Sequence, residues 1–315
     1  MQFPCQIFGV SEKICYFCRK IFIMNIFKAL FGGKVETAEE KKASDAERSF
    51  DMFKYDGVKA LKMGQTEFAV QCFEKALDLK DDLEVHDYLS QAFINSDRLP
   101  AAMEQLRILA DAEPDNAAIC IRMARVAYMT EDYDAMHDAS EKAIAIDDSN
   151  PLAYYLSAQA YCGKRDMING IAMLTKSIML DENYADAYLL RAKVLLGMGD
   201  ANSADNDAQW LLDHCGEHED VLMLKAHIEV VRGNAKQAIE YYTKVIEVNP
   251  FSAEAYKERG GVKYSEGDTV GAEEDVRQAM EIAPEDMSDV NGSYSAEGIE
   301  QKVRQAYSAA NPFGI

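Results

Sequence analysis

Two groups of cysteine and histidine residues have types and spacings that could bind a metal ion. Cys15 and Cys18 form a C-x-x-C pair, and His214, Cys215 and His218 lie together further along the chain. A structural zinc site needs four ligands, normally two pairs at matching distances. Neither group has a second pair, and Gly216 is expected to break the helix that would place the two histidines on one face. The sequence therefore predicts neither a metal site nor a cofactor.

Carboxylates are numerous and sometimes adjacent, as in Asp81-Asp82 and in the run from Glu273 to Asp275. Paired carboxylates catalyse acid–base reactions when a closed cleft holds them. Here they fall on turns and on outward helix positions, where their ordinary role is solvation. The chain also has no glycine-rich phosphate loop, no G-x-S-x-G and no H-E-x-x-H motif. We therefore expect a protein that is not an enzyme.

The composition excludes two kinds of partner. The 315 residues contain 54 acidic and 33 basic side chains, which gives a net charge of -21. Non-specific nucleic-acid binding needs basic residues that displace counterions, and an anionic lipid surface would repel this chain. The seven cysteines are an odd number and fall mostly in helical patterns. They favour a reducing cytoplasm over a disulfide framework.

From about residue 50 the sequence repeats with a period of 34 residues. Each copy carries apolar residues at helical spacing, a turn pair such as Gly199-Asp200 or Gly233-Asn234, and a second apolar helical stripe. Pro114 and Pro250 mark the ends of copies, since proline cannot continue a helix. A small residue that lets two helices approach closely recurs at Gly57, Ser90, Ala124, Ala158, Ala192, Ala226 and Gly260.

This period and pattern resemble the tetratricopeptide repeat family, in its bacterial-type multi-repeat form. The resemblance implies an all-α fold, a right-handed α-solenoid of about seven helix-turn-helix repeats across residues 49–286. One hairpin cannot bury its own apolar faces, but a stack can. Residues 287–315 are expected to form a capping helix over Ser295 to Ala310, followed by a short tail, because Ile299, Val303 and Tyr307 recur every four residues.

The first 48 residues differ in composition from the repeats. Residues 1–23 are interpreted as an upstream or leader segment read from a misassigned start, with Met24 as the alternative start. Residues 24–48 are expected to form a short amphipathic start and a charged linker. Ile26, Phe27, Leu30 and Phe31 would dock on the first repeat or, as the alternative, anchor the chain weakly to a membrane.

Some residues depart from the repeat pattern. Met136, Ser140 and Ala208 replace the usual residue sizes and predict looser local packing. His86 is interpreted as a core or boundary histidine rather than a ligand. Trp210 is either a wedge between repeats or a contact residue on the convex face.

In the resembled family, the first helix of each repeat lines a concave groove through its positions 2, 5, 9 and 12. The resemblance places eight residues of this chain in a peptide-binding groove: Gln91, Arg125, Tyr128, Tyr155, Gln159, Lys193, His227 and Lys257. Basic, amide and tyrosine side chains suit an extended peptide with acidic groups. The family's two-carboxylate clamp for chaperone tails is not reproduced, since Val58 follows Lys54 where asparagine is expected.

The sequence thus predicts a cytoplasmic scaffold or adapter that binds another protein or an extended peptide, without nucleic acid. Membrane contact is expected only through residues 24–31. The alternative is a structural subunit that associates with itself or with an assembly. Under a third interpretation, the groove residues are ordinary solvated helix positions.

Overall fold

The computed structural model describes residues 38–283. Fourteen α-helices make up this part of the chain, and it contains no strand. They are α1 (Ala38–Lys62), α2 (Thr66–Leu77), α3 (Leu83–Asn95), α4 (Leu99–Ala112), α5 (Ala117–Met129), α6 (Tyr133–Ile146), α7 (Pro151–Gly163), α8 (Met167–Leu180), α9 (Ala185–Gly197), α10 (Ala201–Cys215), α11 (Glu219–Val231), α12 (Ala235–Val248), α13 (Ala253–Ser265) and α14 (Thr269–Ile282).

The described chain divides into two units at Asp97 and Arg98. In the first unit, α1 packs on α2, α2 packs on α3, and α1 touches α3. In the second unit, α5 to α14 form five hairpins, and each hairpin packs on the next through its second helix. The second unit is therefore an all-α solenoid, as the period predicts.

Some predicted features lie partly or wholly outside the described residues. The helix α1 begins at Ala38, so it extends into residues 38–48, which the sequence assigns to a charged linker. The Cys15 and Cys18 pair and the amphipathic residues 24–31 lie outside the described residues. So does the predicted capping helix from Ser295 to Ala310.

The turns between the two helices of each hairpin share one backbone conformation. Positive φ angles recur at 34-residue intervals at Asp97, Glu131, Arg165, Gly199, Gly233 and Gly267, with values between 54° and 86°. A carboxylate that follows this position often caps the next helix: the Asp132, Asp166 and Asp200 side chains each accept a backbone N–H three residues on. Left-handed backbone suits glycine and strains other residues. Three of the turns are therefore strained.

Replacing Arg165 by glycine should stabilise the protein. Left-handed backbone costs a non-glycine residue roughly 1–2 kcal/mol, and the greater freedom of glycine in the unfolded chain takes back part of the gain. We expect Arg165→Gly to raise the free energy of unfolding by about 0.5–1 kcal/mol, measured by urea unfolding. Arg165→Ala is the control and should bring no gain; equal effects of the two changes would show that the φ angle is not the cause.

The small residues predicted at the helix crossings are all buried. Ser90, Ala124, Ala158, Ala192 and Ala226 have 0% exposure, and Gly57 and Gly260 are also buried. A Cβ atom added at Gly57 would lie 2.5 Å from Cε1 of Phe73, which itself has no exposed surface. The crossing of α1 and α2 therefore has no room for a methyl group.

This crowding gives a second prediction. Gly57→Ala should lower the free energy of unfolding, because overpacking costs roughly 1–3 kcal/mol and the better helix propensity of alanine offsets only about 1 kcal/mol. The control is Gly197→Ala, also within a helix, where no atom would lie within 4 Å of the new Cβ. That change should leave stability unchanged or raise it. Equal urea midpoints for the two variants would contradict the crowding at Gly57.

The irregular positions are packed as fully as the regular ones. Met136, Ser140 and Ala208 each have 0% exposure, so the predicted looser packing does not appear at these side chains. The Ser140 hydroxyl is accommodated because it donates to the carbonyl of His137, at 2.9 Å. His86 is buried, with Nε2 2.8 Å from a carboxylate oxygen of Asp81, as expected for a boundary histidine.

Candidate functional site

The first helices of neighbouring hairpins lie side by side in the second unit. The helix α5 contacts α7, and α9 contacts α11, in addition to the contacts made through the second helices. We call the side of the stack that the first helices occupy the inner face. It is built from α5, α7, α9, α11 and α13.

A cluster of tyrosines occupies the inner face between α5 and α9. The rings of Tyr155, on α7, and Tyr184, at the N-cap of α9, lie 5.2 Å apart at an angle of 57°. The amide of Gln159 donates to the Tyr155 hydroxyl at 3.2 Å. Tyr128, on α5, remains 47% exposed, while Tyr155 and Tyr184 are half-buried. We call Tyr128, Tyr155 and Tyr184 the tyrosine cluster.

Burial raises the pKa values of two tyrosines of this cluster. It raises the pKa of Tyr155 to about 12, with Asp186 and Tyr128 as further causes. Burial also raises the pKa of Tyr184 to about 12, assisted by Tyr155 and Asp186 and opposed by the positive charge of Arg125. Both hydroxyls are neutral at physiological pH, as those of ordinary tyrosines are, and can take part in hydrogen bonds with a ligand.

Between α5 and α9, three charged side chains of the inner face have no partner within the described region. Arg125 on α5, Asp186 in the first turn of α9 and Lys193 on α9 are exposed, and none forms an ion pair or a hydrogen bond among residues 38–283. Of the residues predicted for the groove, the structure thus brings Arg125, Tyr128, Tyr155 and Gln159 to the same region. Tyr184 and Asp186 are members that the sequence prediction missed.

The remaining predicted groove residues lie elsewhere. Gln91 is exposed on α3 in the first unit and donates to Asn95 at 3.0 Å. His227, on α11, is not a free groove side chain, because its Nε2 lies 2.5 Å from a carboxylate oxygen of Glu258 and its ring meets the buried Tyr242 edge-on. Lys257 is exposed on α13.

The inner face beyond the tyrosine cluster is held by buried ion pairs instead. Arg191 makes two hydrogen bonds with Asp207, at 2.8 and 2.7 Å, and a third with the Thr175 hydroxyl at 3.1 Å. The same three-residue arrangement recurs 68 residues later in Arg259, Asp275 and Thr243. We call each set an Arg-Asp-Thr triad. Each triad joins the two helices of a hairpin to the second helix of the preceding hairpin.

Sequence reasoning missed these triads, although the signal was present. Arg, Asp and Thr recur at the same repeat positions two periods apart, whereas the repeat between them has Lys225 at the arginine position. Lys225 is only 5% exposed and lies 2.5 Å from a carboxylate oxygen of Asp205. The triads could have been predicted from these charged residues, because they recur at repeat positions where the family pattern allows any residue.

Removing the carboxylate of a triad should destabilise the protein strongly. Asp275 is 2% exposed and pairs with both Arg259 and Lys263, so Asp275→Ala leaves two half-buried cations without this counter-charge. We expect a loss of roughly 3–5 kcal/mol in the free energy of unfolding. Glu274→Ala removes the adjacent exposed carboxylate and should change stability by less than about 0.5 kcal/mol. Similar thermal midpoints for the two variants would contradict a stabilising role of the triad.

The histidine and cysteine group at residues 214–218 is arranged for packing. The helix α10 ends at Cys215, and Gly216 has a φ of 84°, as the sequence predicted for a helix break. His214 stacks on Trp210 at 4.3 Å, and Trp210 stacks on Tyr188 at 3.9 Å. Trp210 is therefore half-buried within its own hairpin. Among residues 38–283, no three histidine, cysteine or acidic residues are placed to hold a metal ion.

Part of the chain matches a known repeat family, and one curated protein is similar in sequence. Residues 223–286, a stretch that includes α12, α13 and α14, match the family model described as Tetratricopeptide repeat. A curated protein, Stress-induced-phosphoprotein 1 of Caenorhabditis elegans, is 23% identical over 167 residues, which are 52% of this chain and 51% of that protein. This chain therefore spans about half the length of the curated relative it matches.

Two solved structures have a similar fold. A tetratricopeptide repeat protein from Parabacteroides merdae is 14% identical, with a TM-score of 0.64 over 82% of this chain and 98% of its own. Pseudomonas aeruginosa pilF is 18% identical, with a TM-score of 0.53 over 67% of this chain and 96% of its own. At these identities the likeness concerns the fold alone.

The fold, the periodic core and the inner face define an all-α repeat protein built from stacked helical hairpins. Residues 223–286 match the tetratricopeptide repeat model, and the fold of the chain is similar to that of a solved tetratricopeptide repeat protein. No helix within residues 38–283 is long and apolar enough to cross a membrane.

Proposed function

We propose that this protein is a non-enzymatic scaffold that binds an extended peptide of another protein on the inner face of its second unit. The tetratricopeptide fold supports a role in protein–protein interaction generally. The single observation that carries the finer proposal is the tyrosine cluster with an unpaired Arg125 beside it. A tyrosine ring can pack on a peptide side chain while its hydroxyl forms a hydrogen bond, and a guanidinium can bind a carboxylate through two hydrogen bonds.

The location of the site follows from where the inner face leaves charges unpaired. From Arg191 of α9 onward, three cationic or titratable groups of the first helices are engaged: Arg191 with Asp207, His227 with Glu258, and Arg259 with Asp275. Between α5 and α9, Arg125 and Lys193 have no internal partner. A bound peptide would therefore obtain most of its binding free energy from the α5–α9 region. Gln91, His227 and Lys257 would contribute less to binding than the sequence predicts.

A charge reversal tests this proposal. We expect Arg125→Glu with Lys193→Glu to weaken binding of acidic, unstructured peptides by at least about tenfold, because two attractive charges become repulsive. The matched control is Lys142→Glu with Lys236→Glu, which makes the same change of net charge at exposed positions on the second helices α6 and α12. Fluorescence anisotropy with a set of labelled acidic peptides measures the effect.

The control separates local from global electrostatics. If both double variants weaken binding equally, the net charge of the chain is responsible and the inner-face site is wrong. Helical circular dichroism should be unchanged in both variants, since none of the four side chains is buried.

A further inference from the structure

The tyrosine cluster has unpaired charges of opposite sign beside it. Arg125 comes from α5, and Asp186 comes from the first turn of α9, where the chain arrives directly from Tyr184. Both charges act on the Tyr184 hydroxyl, with opposite effects on its pKa. The two side chains do not pair with each other, and neither has another partner among the described residues.

Two carboxylates of the later first helices are paired: Glu258 with His227, at 2.5 Å, and Glu229 with Arg232, at 3.0 Å. Asp186 follows the half-buried Tyr184 by two residues and has no counter-charge among the described residues. A ligand that offered only acidic groups would be attracted at Arg125 and repelled at Asp186.

We infer that Asp186 is a specificity-determining residue, and that the bound peptide carries a basic side chain opposite Asp186 and an acidic group opposite Arg125. This inference rests on the proposed peptide-binding function and adds the charge pattern of the partner. The central residue of such a peptide packs against Tyr155 and Tyr184. Since the two charges of the site differ in sign, they also fix the direction in which the peptide lies.

A comparison of matched peptides tests the inference. The probes are labelled, unstructured peptides with a central tyrosine, in three forms: a lysine on one side and a glutamate on the other, the same pair exchanged, and glutamates on both sides. For the wild-type protein we expect one of the two mixed-charge forms to bind about fivefold more tightly than the di-acidic form, the size expected of one exposed ion pair.

The substitution Asp186→Lys should reverse this preference, so that the di-acidic peptide becomes the tightest ligand. Asp186→Asn should remove most of the preference without reversing it. The control is Asp138→Lys, an equal charge change at an exposed position on the second helix α6, which should keep the wild-type order. Because Asp186 is exposed, both variants are expected to retain the wild-type helical circular dichroism.

The outcomes separate this inference from the function on which it rests. If peptides bind the wild-type protein and Arg125→Glu with Lys193→Glu weakens them, while Asp186→Lys leaves the order of the three peptides unchanged, the role of Asp186 is overturned and the proposed function stands. If none of the peptides binds, the proposed function fails and the inference fails with it.

Discussion

Close helix–helix contact at one small residue per hairpin is the constraint on which this structure depends. At Gly57 the backbone of α1 lies so near to Phe73 that no Cβ atom fits, and Ala124, Ala158 and Ala192 have no exposed surface at the equivalent places. Each hairpin closes around such a residue and then covers its remaining apolar side with the next hairpin. Each hairpin is therefore stabilised by its packing against the neighbouring hairpin, and an isolated hairpin would not stay folded.

The inner face follows from that packing. Because the small residues bring the two helices of a hairpin together, the first helices of successive hairpins line up on one side. The outward-facing residues of the first helices do not pack in the core, so these positions can carry tyrosines, amides and charges. The second unit uses this freedom in two ways: as internal ion pairs from α9 onward and as unpaired polar groups between α5 and α9.

The sequence was sufficient for the hairpins because their determinants are local and periodic. The small residues and the turn positions recur at steps of 34 residues, with one step of 33 between Gly57 and Ser90. The structure places the small residues in buried helix crossings and the later turns at residues with positive φ angles. Side-chain pairing was not predictable in the same way. His227 was assigned to the groove, but its partner Glu258 lies 31 residues away in the next repeat, and only the three-dimensional stack brings them together.

The candidate site shows the same limit. The sequence places Arg125, Tyr128, Tyr155 and Gln159 in the predicted groove because they occupy positions 5, 9 and 12 of their repeats. Tyr184 precedes the first position of its repeat, and Asp186 holds position 2, which was not used to choose residues. Nothing in a single repeat signals that a residue at an N-cap will face the ring of a tyrosine from the preceding repeat.

The spacing of the two Arg-Asp-Thr triads also determines which hairpins of the second unit are joined by side-chain hydrogen bonds. Each triad fastens a hairpin to the one before it, at α8–α10 and again at α12–α14. At the equivalent place one repeat earlier, Ser157 makes a single hydrogen bond to Glu141. Side-chain hydrogen bonds between successive hairpins are thus unequally distributed along the stack, and the hairpins that carry Tyr128 and Tyr155 have fewer of them. A rise in ionic strength, which screens ion pairs, would therefore act more on the later hairpins than on those between α5 and α8.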